Sequence, residues 1–126
     1  MTTVFTPLVK GFSWTNSTTD STGAPLPAGE TQSGSTIGIR ADGDTTHSAG
    51  NYQWLVLVAA GQTSETPAQL TATLNKSLPA GNYWAAMDQT DMLGTDSKTS
   101  AWTAEVPFSI PPTIAVPAPP TGFTAG

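Results

Sequence analysis

Apolar and polar residues alternate one by one along several short stretches of this chain, and this two-residue period constrains its fold more than any other feature. Alternation of this kind places one face of a β-strand in a core and the other face in solvent. No window of the sequence has a convincing 3.6-residue helical period. Short strands separated by clusters of turn residues are typical of β-sandwiches and barrels. The sequence therefore predicts one all-β domain.

The predicted strands are short, and residues 51–60 form the most distinct of them. This segment is apolar on both faces, as in a central strand. Residues 4–15 predict a first strand that Pro7 and Gly11 can interrupt. Residues 16–34 predict a long polar loop with room for a short edge strand. The other predicted strands are residues 35–41, 69–74, 83–87 and 102–110.

Strand parity predicts which side chains face the core. We expect Tyr52 and Trp54 to point inward, and the strands of Trp54 and Tyr83 to be neighbours in one sheet. The predicted core residues are Ile37, Ile39, Trp54, Leu70, Leu74, Tyr83, Val106 and Phe108.

The same parity predicts an apolar patch on the outer face of that sheet. Strict alternation turns Leu55, Leu57, Trp84 and Ala86 outward together. Because monomeric proteins rarely leave such a patch uncovered, either residues 16–34 or another chain should cover it. We expect another chain, with Trp84 as the anchor of the interface.

The C-terminal segment, residues 111–126, differs in composition from the rest and holds five prolines. A proline-rich segment of this length is expected to be extended rather than packed. The sequence therefore predicts a domain at residues 1–110 and an extended tail at residues 111–126. Pro117, Pro119 and Pro120 are candidate contacts to a partner.

Charge excludes several kinds of partner. The chain has nine acidic and four basic residues, a formal net charge of −5 at pH 7 and a sequence pI of about 4.3. Nucleic acids and anionic membranes both require basic patches, so neither is expected as a partner. The first seven residues lack the features of a secretory signal, and the longest apolar run, Trp54–Ala60, has the length of a strand.

Few residues of this chain are suited to catalysis or metal binding. The chain has no cysteine, and its one histidine, His47, is expected to be a solvated loop residue. There is no Gly-x-Ser-x-Gly motif, and Glu30, Glu65 and Glu105 are scattered along the chain. We therefore expect a protein that is not an enzyme and has no cofactor. The weak metal candidate is a calcium site formed by Asp88, Asp91 and Asp96, although aspartates also favour turns.

Three segments resemble parts of a known fold. Gly81-Asn82-Tyr83 resembles the tyrosine corner of immunoglobulin-like and fibronectin type III sandwiches. Asp91–Ser97 followed by Trp102–Ile110 resembles the final hairpin loop and strand of such modules, and Trp54 stands at the position of their central aromatic residue. The resemblance covers residues 4–110 and implies a single immunoglobulin-like antiparallel β-sandwich of about seven strands. It also implies that Trp54, Tyr83 and Phe108 are structural residues.

A small acidic module of this kind is similar to the decoration, head-fibre and tail proteins of phage virions. That similarity implies a non-enzymatic structural or accessory protein on the virion surface, assembled in the host cytoplasm. Its partner would be a virion protein such as the major capsid protein, or neighbouring copies of itself. The alternative is an extracellular or cell-surface carbohydrate-binding or adhesion module that uses an exposed Trp84 and nearby loops to bind glycans on a host surface.

Overall fold

Two long antiparallel strands, β3 (Thr31–Ala41) and β6 (Gly81–Leu93), form the centre of the fold. The computed structural model describes residues 2–112 and 116–126. Ten residues of β3 have partners on β6, and one irregularity interrupts the register between Gln32 and Gly34. This pairing joins segments about fifty positions apart in the chain, so the remaining strands assemble around it.

Other strands extend this pair on both sides into a six-stranded sheet. The order is β1-β8-β6-β3-β4, and β7 pairs with the other half of β6. All contacts in the sheet are antiparallel except the parallel pairing of β1 with β8. The added strands are β1 (Thr6–Pro7), β4 (Trp54–Ala59), β7 (Asp96–Thr99) and β8 (Val106–Ile110).

A second sheet, of two strands, is separate from the six-stranded sheet. It pairs β2 (Phe12–Ser13) with β5 (Ser64–Glu65). The predicted first strand is thus divided into β1 and β2, with Pro7 ending β1 and Gly11 between them in a left-handed conformation at φ 95°. Within the described residues the secondary structure is mostly strand with one short helix, which confirms the all-β class.

The predicted strand at residues 69–74 is wrong, because Pro67–Leu74 forms the helix α1. The Thr66 hydroxyl accepts a hydrogen bond from the Gln69 amide, and the Gln69 side chain accepts one from the Thr66 amide. This capping box, with Pro67 in the first turn, stabilises the helix start. Leu70 and Leu74, four residues apart, both contact the core in a helix as they would in a strand.

The main core lies between the inner face of the large sheet and α1. Burial is confirmed for Ile37, Ile39, Leu70, Tyr83 and Phe108. Trp54 and Leu74 are partly buried and pack against this cluster. Val106 is 50% exposed, so its predicted burial is wrong. Val106 is the first residue of β8, and the segment before it is irregular, so little packs over its side chain.

The predicted order of the strands is also wrong at one point. β3 lies between β4 and β6, and Ile39 pairs with Trp54 on one side and with Ala85 on the other. The strands of Trp54 and Tyr83 are therefore one strand apart. Their rings still meet edge to face across β3, with centroids 5.8 Å apart.

The segment predicted as the loop Asp91–Ser97 is a β-hairpin. β6 continues to Leu93, and β7 returns along it after a turn at Gly94 and Thr95. β3 likewise begins at Thr31, inside the predicted loop of residues 16–34. These extensions are mostly polar and are exposed or half-buried, with apolar Met92 and Leu93 at the end of β6, so they carry no regular apolar alternation from which they could be predicted.

Tyr52 lies on the outer face of the sheet and not in the main core as predicted. β4 begins only at Trp54, and the preceding residues fold back over β3. The Tyr52 ring covers Gly38, and its buried hydroxyl makes no hydrogen bond of normal geometry. Burial raises the pKa of Tyr52 above its usual value.

Tyr83 forms the corner contact that the sequence predicted. Its hydroxyl donates a hydrogen bond to the carbonyl of Pro79, four residues upstream. Its ring stacks on Phe108, with centroids 5.4 Å apart. Tyr83 therefore joins the turn before β6 to β8 and the core.

Replacing Tyr83 with phenylalanine should lower the free energy of unfolding by about 1 kcal/mol, the usual effect of losing one hydrogen bond. Tyr52→Phe is the matched control, because it removes a buried hydroxyl that has no partner of normal geometry. Urea unfolding of both variants checks this. Equal losses in the two variants would show that the Tyr83–Pro79 bond adds no stability.

Candidate interaction surface

The four residues predicted to form one outer patch have very different exposure. Leu55 and Leu57, on β4, are 56% and 74% exposed. Ala86 is buried, and Trp84 is half-buried. The exposed part of the predicted patch is therefore the pair of leucines on β4.

Tyr52 and Trp102 divide the predicted patch. In register, Gly38 lies between Leu55 on β4 and Ala86 on β6. A Cβ atom at Gly38 would come within 2.3 Å of the Tyr52 ring, so the ring occupies the space above this glycine. The Trp102 ring meets Tyr52 edge to face at 4.9 Å. Residues 16–34, one of the two covers considered from the sequence, do not form this contact.

Trp84 is held by its neighbours on the outer face. Its indole Nε1 donates a hydrogen bond to Asp42 at 3.0 Å, and the Phe5 ring meets it edge to face at 5.2 Å. The guanidinium carbon of Arg40 lies 5.6 Å from the ring centroid, within cation–π range. With three neighbours in place, Trp84 is less available to a ligand than the two leucines.

Arg40 also joins β3 to the irregular segment before β8. Its Nε and second guanidinium nitrogen donate to the two carboxylate oxygens of Glu105 at 2.8 and 2.6 Å. The two side chains are only 17% and 14% exposed. The Arg40 hydrogen bond lowers the pKa of Glu105, so the carboxylate stays ionised within this pair.

β4 forms an edge of the large sheet, and its surroundings are uncharged. No charged residue occurs from Ser48 to Ser64, although the chain as a whole carries −5. β3 pairs with one side of β4, and none of the described strands pairs with its other side. Sheet edges that natural proteins leave unpaired usually carry charges or prolines that discourage further pairing, and β4 carries neither.

The opposite edge of the sheet is protected in this way. β7 presents Asp96 and Lys98, and all four of its residues are exposed. β8 is covered along part of its length by β1, which ends in Pro7. The edge formed by β7 and β8 is therefore charged or covered by another strand, whereas the β4 edge is uncharged and unpaired.

The three aspartates of the candidate calcium site have separate surroundings. Asp88 accepts a hydrogen bond from the Thr36 amide, and Asp91 accepts one from the Gln89 side chain. Asp96 lies at the start of β7, opposite Leu93. Among residues 2–112 and 116–126, no three acidic or histidine side chains group as metal ligands would. Partial burial raises the pKa of Asp88.

The described residues of the C-terminal segment are exposed. Every residue from 116 to 126 is exposed, including Pro117, Pro119 and Pro120, and Val116 and Phe123 are more than nine-tenths exposed. Residues 113–115 of the predicted tail lie outside the described residues. The described part of the tail is thus accessible along its whole length.

Two concave regions lie elsewhere on the surface. A polar cleft of about 370 Å³ is lined by Asp20, Gln89, Asp91 and Lys98, together with several hydroxyl side chains. An apolar groove of about 290 Å³ lies beside β6, where Phe12, Trp14, Met87 and Val106 meet. This groove is where the chain between β7 and β8 departs from regular pairing.

The isolated titratable groups serve the structure. The Asp44 carboxylate accepts hydrogen bonds from the Thr46 amide and hydroxyl and lies 2.8 Å from His47 Nδ1. These bonds lower the pKa of Asp44 to about 2. Half-buried His47 thus belongs to a hydrogen-bonded turn and is less solvated than predicted. Buried Glu65 accepts a hydrogen bond from the Gln62 side chain.

A scan of family models, a search of curated proteins and a search of solved structures each found no match to this chain. Among the described helices, none has the length and apolar character needed to cross a membrane. The residues that sequence reasoning missed on the outer face are Tyr52, Trp102 and the Arg40–Glu105 pair. One signal was present, because Gly38 in the middle of a strand indicates close approach of another group.

Placing a methyl group at position 38 should displace the Tyr52 ring. Gly38→Ala should lower the free energy of unfolding by about 1–3 kcal/mol, the usual range when an extra group is forced into a packed site. The backbone at Gly38 lies outside the left-handed region, so alanine meets no conformational strain there. In a Tyr52→Ala background the same change should therefore be neutral or stabilising, since alanine restricts the unfolded chain.

Urea unfolding of the four proteins in this double-mutant cycle measures the coupling. If Gly38→Ala costs the same with and without the Tyr52 ring, the proposed contact does not limit this position.

Loss of the Arg40–Glu105 pair should weaken the link between β3 and the segment before β8. Arg40→Gln should lower the free energy of unfolding by about 2 kcal/mol, which lies between the usual losses for exposed and for fully buried ion pairs. Because the pKa of Glu105 is lowered in the folded state, the pair stabilises the wild type above the ordinary glutamate range. This contribution is lost as the pH falls through the folded pKa.

Thermal melts at pH 7 and pH 3 test both parts. The variant should differ from wild type much less at pH 3, and Arg40→Lys should recover only part of the loss, since lysine cannot form a two-pronged contact. A difference that is the same at both pH values would show that Glu105 ionisation is not involved.

Proposed function

We propose that this chain is a non-enzymatic structural or accessory protein that binds a repeating protein surface, as decoration and head- or tail-associated proteins of phage virions do. The observation that carries the proposal is the uncharged edge strand β4, with Leu55 and Leu57 exposed on an otherwise acidic chain. Exposed apolar side chains beside an open sheet edge favour association with protein. The virion setting comes from the similarity of the sequence to such modules.

The exposed tail supports the same proposal. Residues 116–126 are all exposed, and Val116, Phe123 and the prolines are available to another surface. Extended proline-rich segments bind with little loss of chain entropy because they are already extended. We propose that Pro117, Pro119 and Pro120 contact the major capsid protein or another virion protein.

We also propose that the fold is a variant of the immunoglobulin-like sandwich of about seven strands. The Tyr83–Pro79 hydrogen bond and the antiparallel pairing of β3, β4 and β6 support this relation. The short β2–β5 sheet and helix α1, which occur beside the six-stranded sheet, depart from the usual pattern. A fold of this class supports many functions, so it adds little to the functional proposal.

The alternative function, carbohydrate binding, has one feature in its favour. The polar cleft offers amide, hydroxyl and carboxylate groups, which are the groups that bind sugars through hydrogen bonds. No aromatic side chain lines this cleft, and Trp84 is held by Phe5, Arg40 and Asp42. Protein association is therefore the better supported function. A tryptophan fluorescence titration with soluble glycans tests the alternative.

Deleting residues 113–126 should leave the melting temperature of the isolated protein nearly unchanged and weaken its binding to particles. The physical reason is that the described tail residues add an extended binding segment but no contact with the core. Purified virions of a phage that encodes the chain supply the particles, and co-sedimentation measures occupancy. Truncation of residues 121–126 alone, which keeps Pro117, Pro119 and Pro120, is the matched control.

Two outcomes would contradict this proposal. One is the absence of the chain, by mass spectrometry, from purified particles. The other is full occupancy by the truncated chain, which would exclude the tail as the binding segment. A large fall in melting temperature would instead show that the tail is part of the folded domain.

A further inference from the structure

We propose that β4 is a self-association edge, at which a second copy of this chain adds its own β4 in antiparallel register around a two-fold axis at Val56. The inference deepens the proposed function, since it names the partner of the exposed edge as a neighbouring copy. It depends on the geometry of β4 alone and not on the tail or on the identity of the particle.

The backbone groups of β4 point alternately towards β3 and away from it. The Asp42 amide donates to the Asn82 carbonyl at 2.9 Å, which continues the register of Arg40 with Trp84. In an antiparallel ladder, hydrogen-bonded pairs alternate, so even-numbered residues of β3 at this end bond to β6 and odd-numbered ones bond to β4.

Ile37 and Ile39 are therefore the residues of β3 that exchange hydrogen bonds with β4, at Val56 and Trp54. The N–H and C=O groups of the intervening residue Leu55, and of Leu57, then point away from β3. No other backbone group is bonded to either residue in the part of the chain that the structure describes. Two residues of the edge thus offer a donor and an acceptor each.

The register of the two copies follows from the open backbone groups and the exposed side chains of β4. If the two-fold axis passes beside Val56, Leu55 of one copy stands opposite Leu57 of the other, and the reverse pair is equivalent. Each of these pairs can exchange two backbone hydrogen bonds. All four leucine side chains then lie on the same outer face and contact each other across the new ladder. The register therefore satisfies the open backbone groups and covers the exposed leucines together.

The charge of the chain favours contact between two copies at this edge. Two copies that each carry −5 repel each other over most approaches, and this cost is lowest where both surfaces are neutral. Residues 48–64 contain no charged side chain, so both copies meet through neutral segments. The β7 edge, with Asp96 and Lys98, lacks this neutrality and has no exposed apolar pair. Charge and apolar exposure therefore point to the same edge.

The C-terminal tail is a weaker candidate for the same edge. Pro111, Pro112, Pro117, Pro119 and Pro120 have no N–H group, so the tail cannot donate the regular series of hydrogen bonds that β4 requires. A strand of β4 from a second copy has a free donor at both positions. The second copy is thus the occupant that fits.

Sedimentation equilibrium of the full chain tests self-association, up to about 1 mM because an edge-to-edge interface of this size is expected to be weak. We expect a monomer–dimer equilibrium that Leu57→Asp weakens by about tenfold or more, since apolar contact is lost and like charges are introduced. Ser97→Asp, on the β7 edge, adds the same charge at an exposed site and should leave the equilibrium nearly unchanged. Circular dichroism confirms that both variants are folded.

Cysteine cross-linking tests the register directly, because the natural chain has no cysteine. Leu55→Cys and Leu57→Cys proteins, mixed in equal amounts and oxidised, should form mainly the mixed disulfide dimer. In the proposed register this pair has a Cα separation of about 5.5 Å, within the range for disulfides, whereas identical positions are diagonal at about 7–8 Å. Ser97→Cys, on the β7 edge, is the control that measures how fast disulfides form by random collision of two exposed cysteines.

Three results would overturn the inference: a wild-type chain that stays monomeric throughout the concentration range, a dimer that Leu57→Asp does not weaken, or mixed and like disulfides formed at equal rates. Particle binding is measured separately on the Leu57→Asp protein. If this variant is monomeric and still binds particles, self-association and the tail contact are distinct. If wild type dimerises but binds no particle, the inference holds and the proposed function fails.

Discussion

The pairing of β3 with β6 is the interaction on which the rest of the structure depends. It runs through ten residue pairs; β4, β7 and β8 pair directly with one of these two strands, and β1 is added to β8. A strand paired on both sides has its backbone groups satisfied within the sheet, and its apolar positions still have to be covered from water. Ile37 and Ile39 meet this requirement on the inner face by packing with Val56, Tyr83 and Leu70. On the outer face Gly38 has no side chain, and the Tyr52 ring takes its place.

The way in which each face of the sheet is covered determines which apolar side chains remain exposed. The inner face is covered by α1 and by side chains from β2, so the core continues to the edge of the sheet. The outer face is covered in the middle by Tyr52 and Trp102, and towards β8 by Phe5, Trp84 and the Arg40–Glu105 pair. This cover ends before β4, and Leu55 and Leu57 lie beyond it. The exposed leucines are therefore a consequence of where the chain before β4 folds back.

Local alternation was sufficient to predict the strands around Ile37, Tyr83 and Phe108. The strand around Val56 was also predicted, but its two apolar faces indicated a central strand, and it lies at the edge of the sheet. Alternation could not predict the polar ends of β3 and β6, where pairing depends on backbone bonds and on contacts such as that between the Thr90 and Thr99 hydroxyls. The helix was predicted as a strand because Leu70 and Leu74 satisfy both periods. Thr66, Pro67 and Gln69 were the signals that distinguish them. The order of the strands depends on pairing between distant segments, and the alternation of apolar residues within one strand gives no information about that pairing. For the same reason, only Leu55 and Leu57 of the predicted outer patch proved open.

The distribution of charge gives the exposed edge its significance. An acidic chain gains solubility from repulsion between copies, and a charged side chain near an unpaired strand prevents that strand from adding another. In this chain the β7 edge has such protection and the β4 edge has none, although a single lysine or glutamate at either exposed leucine would supply it. Neither leucine supports the main core, since both side chains point to the outer face. Leaving both positions apolar therefore gives the isolated fold little stability, whereas it keeps one neutral, strand-shaped surface through which the chain can associate.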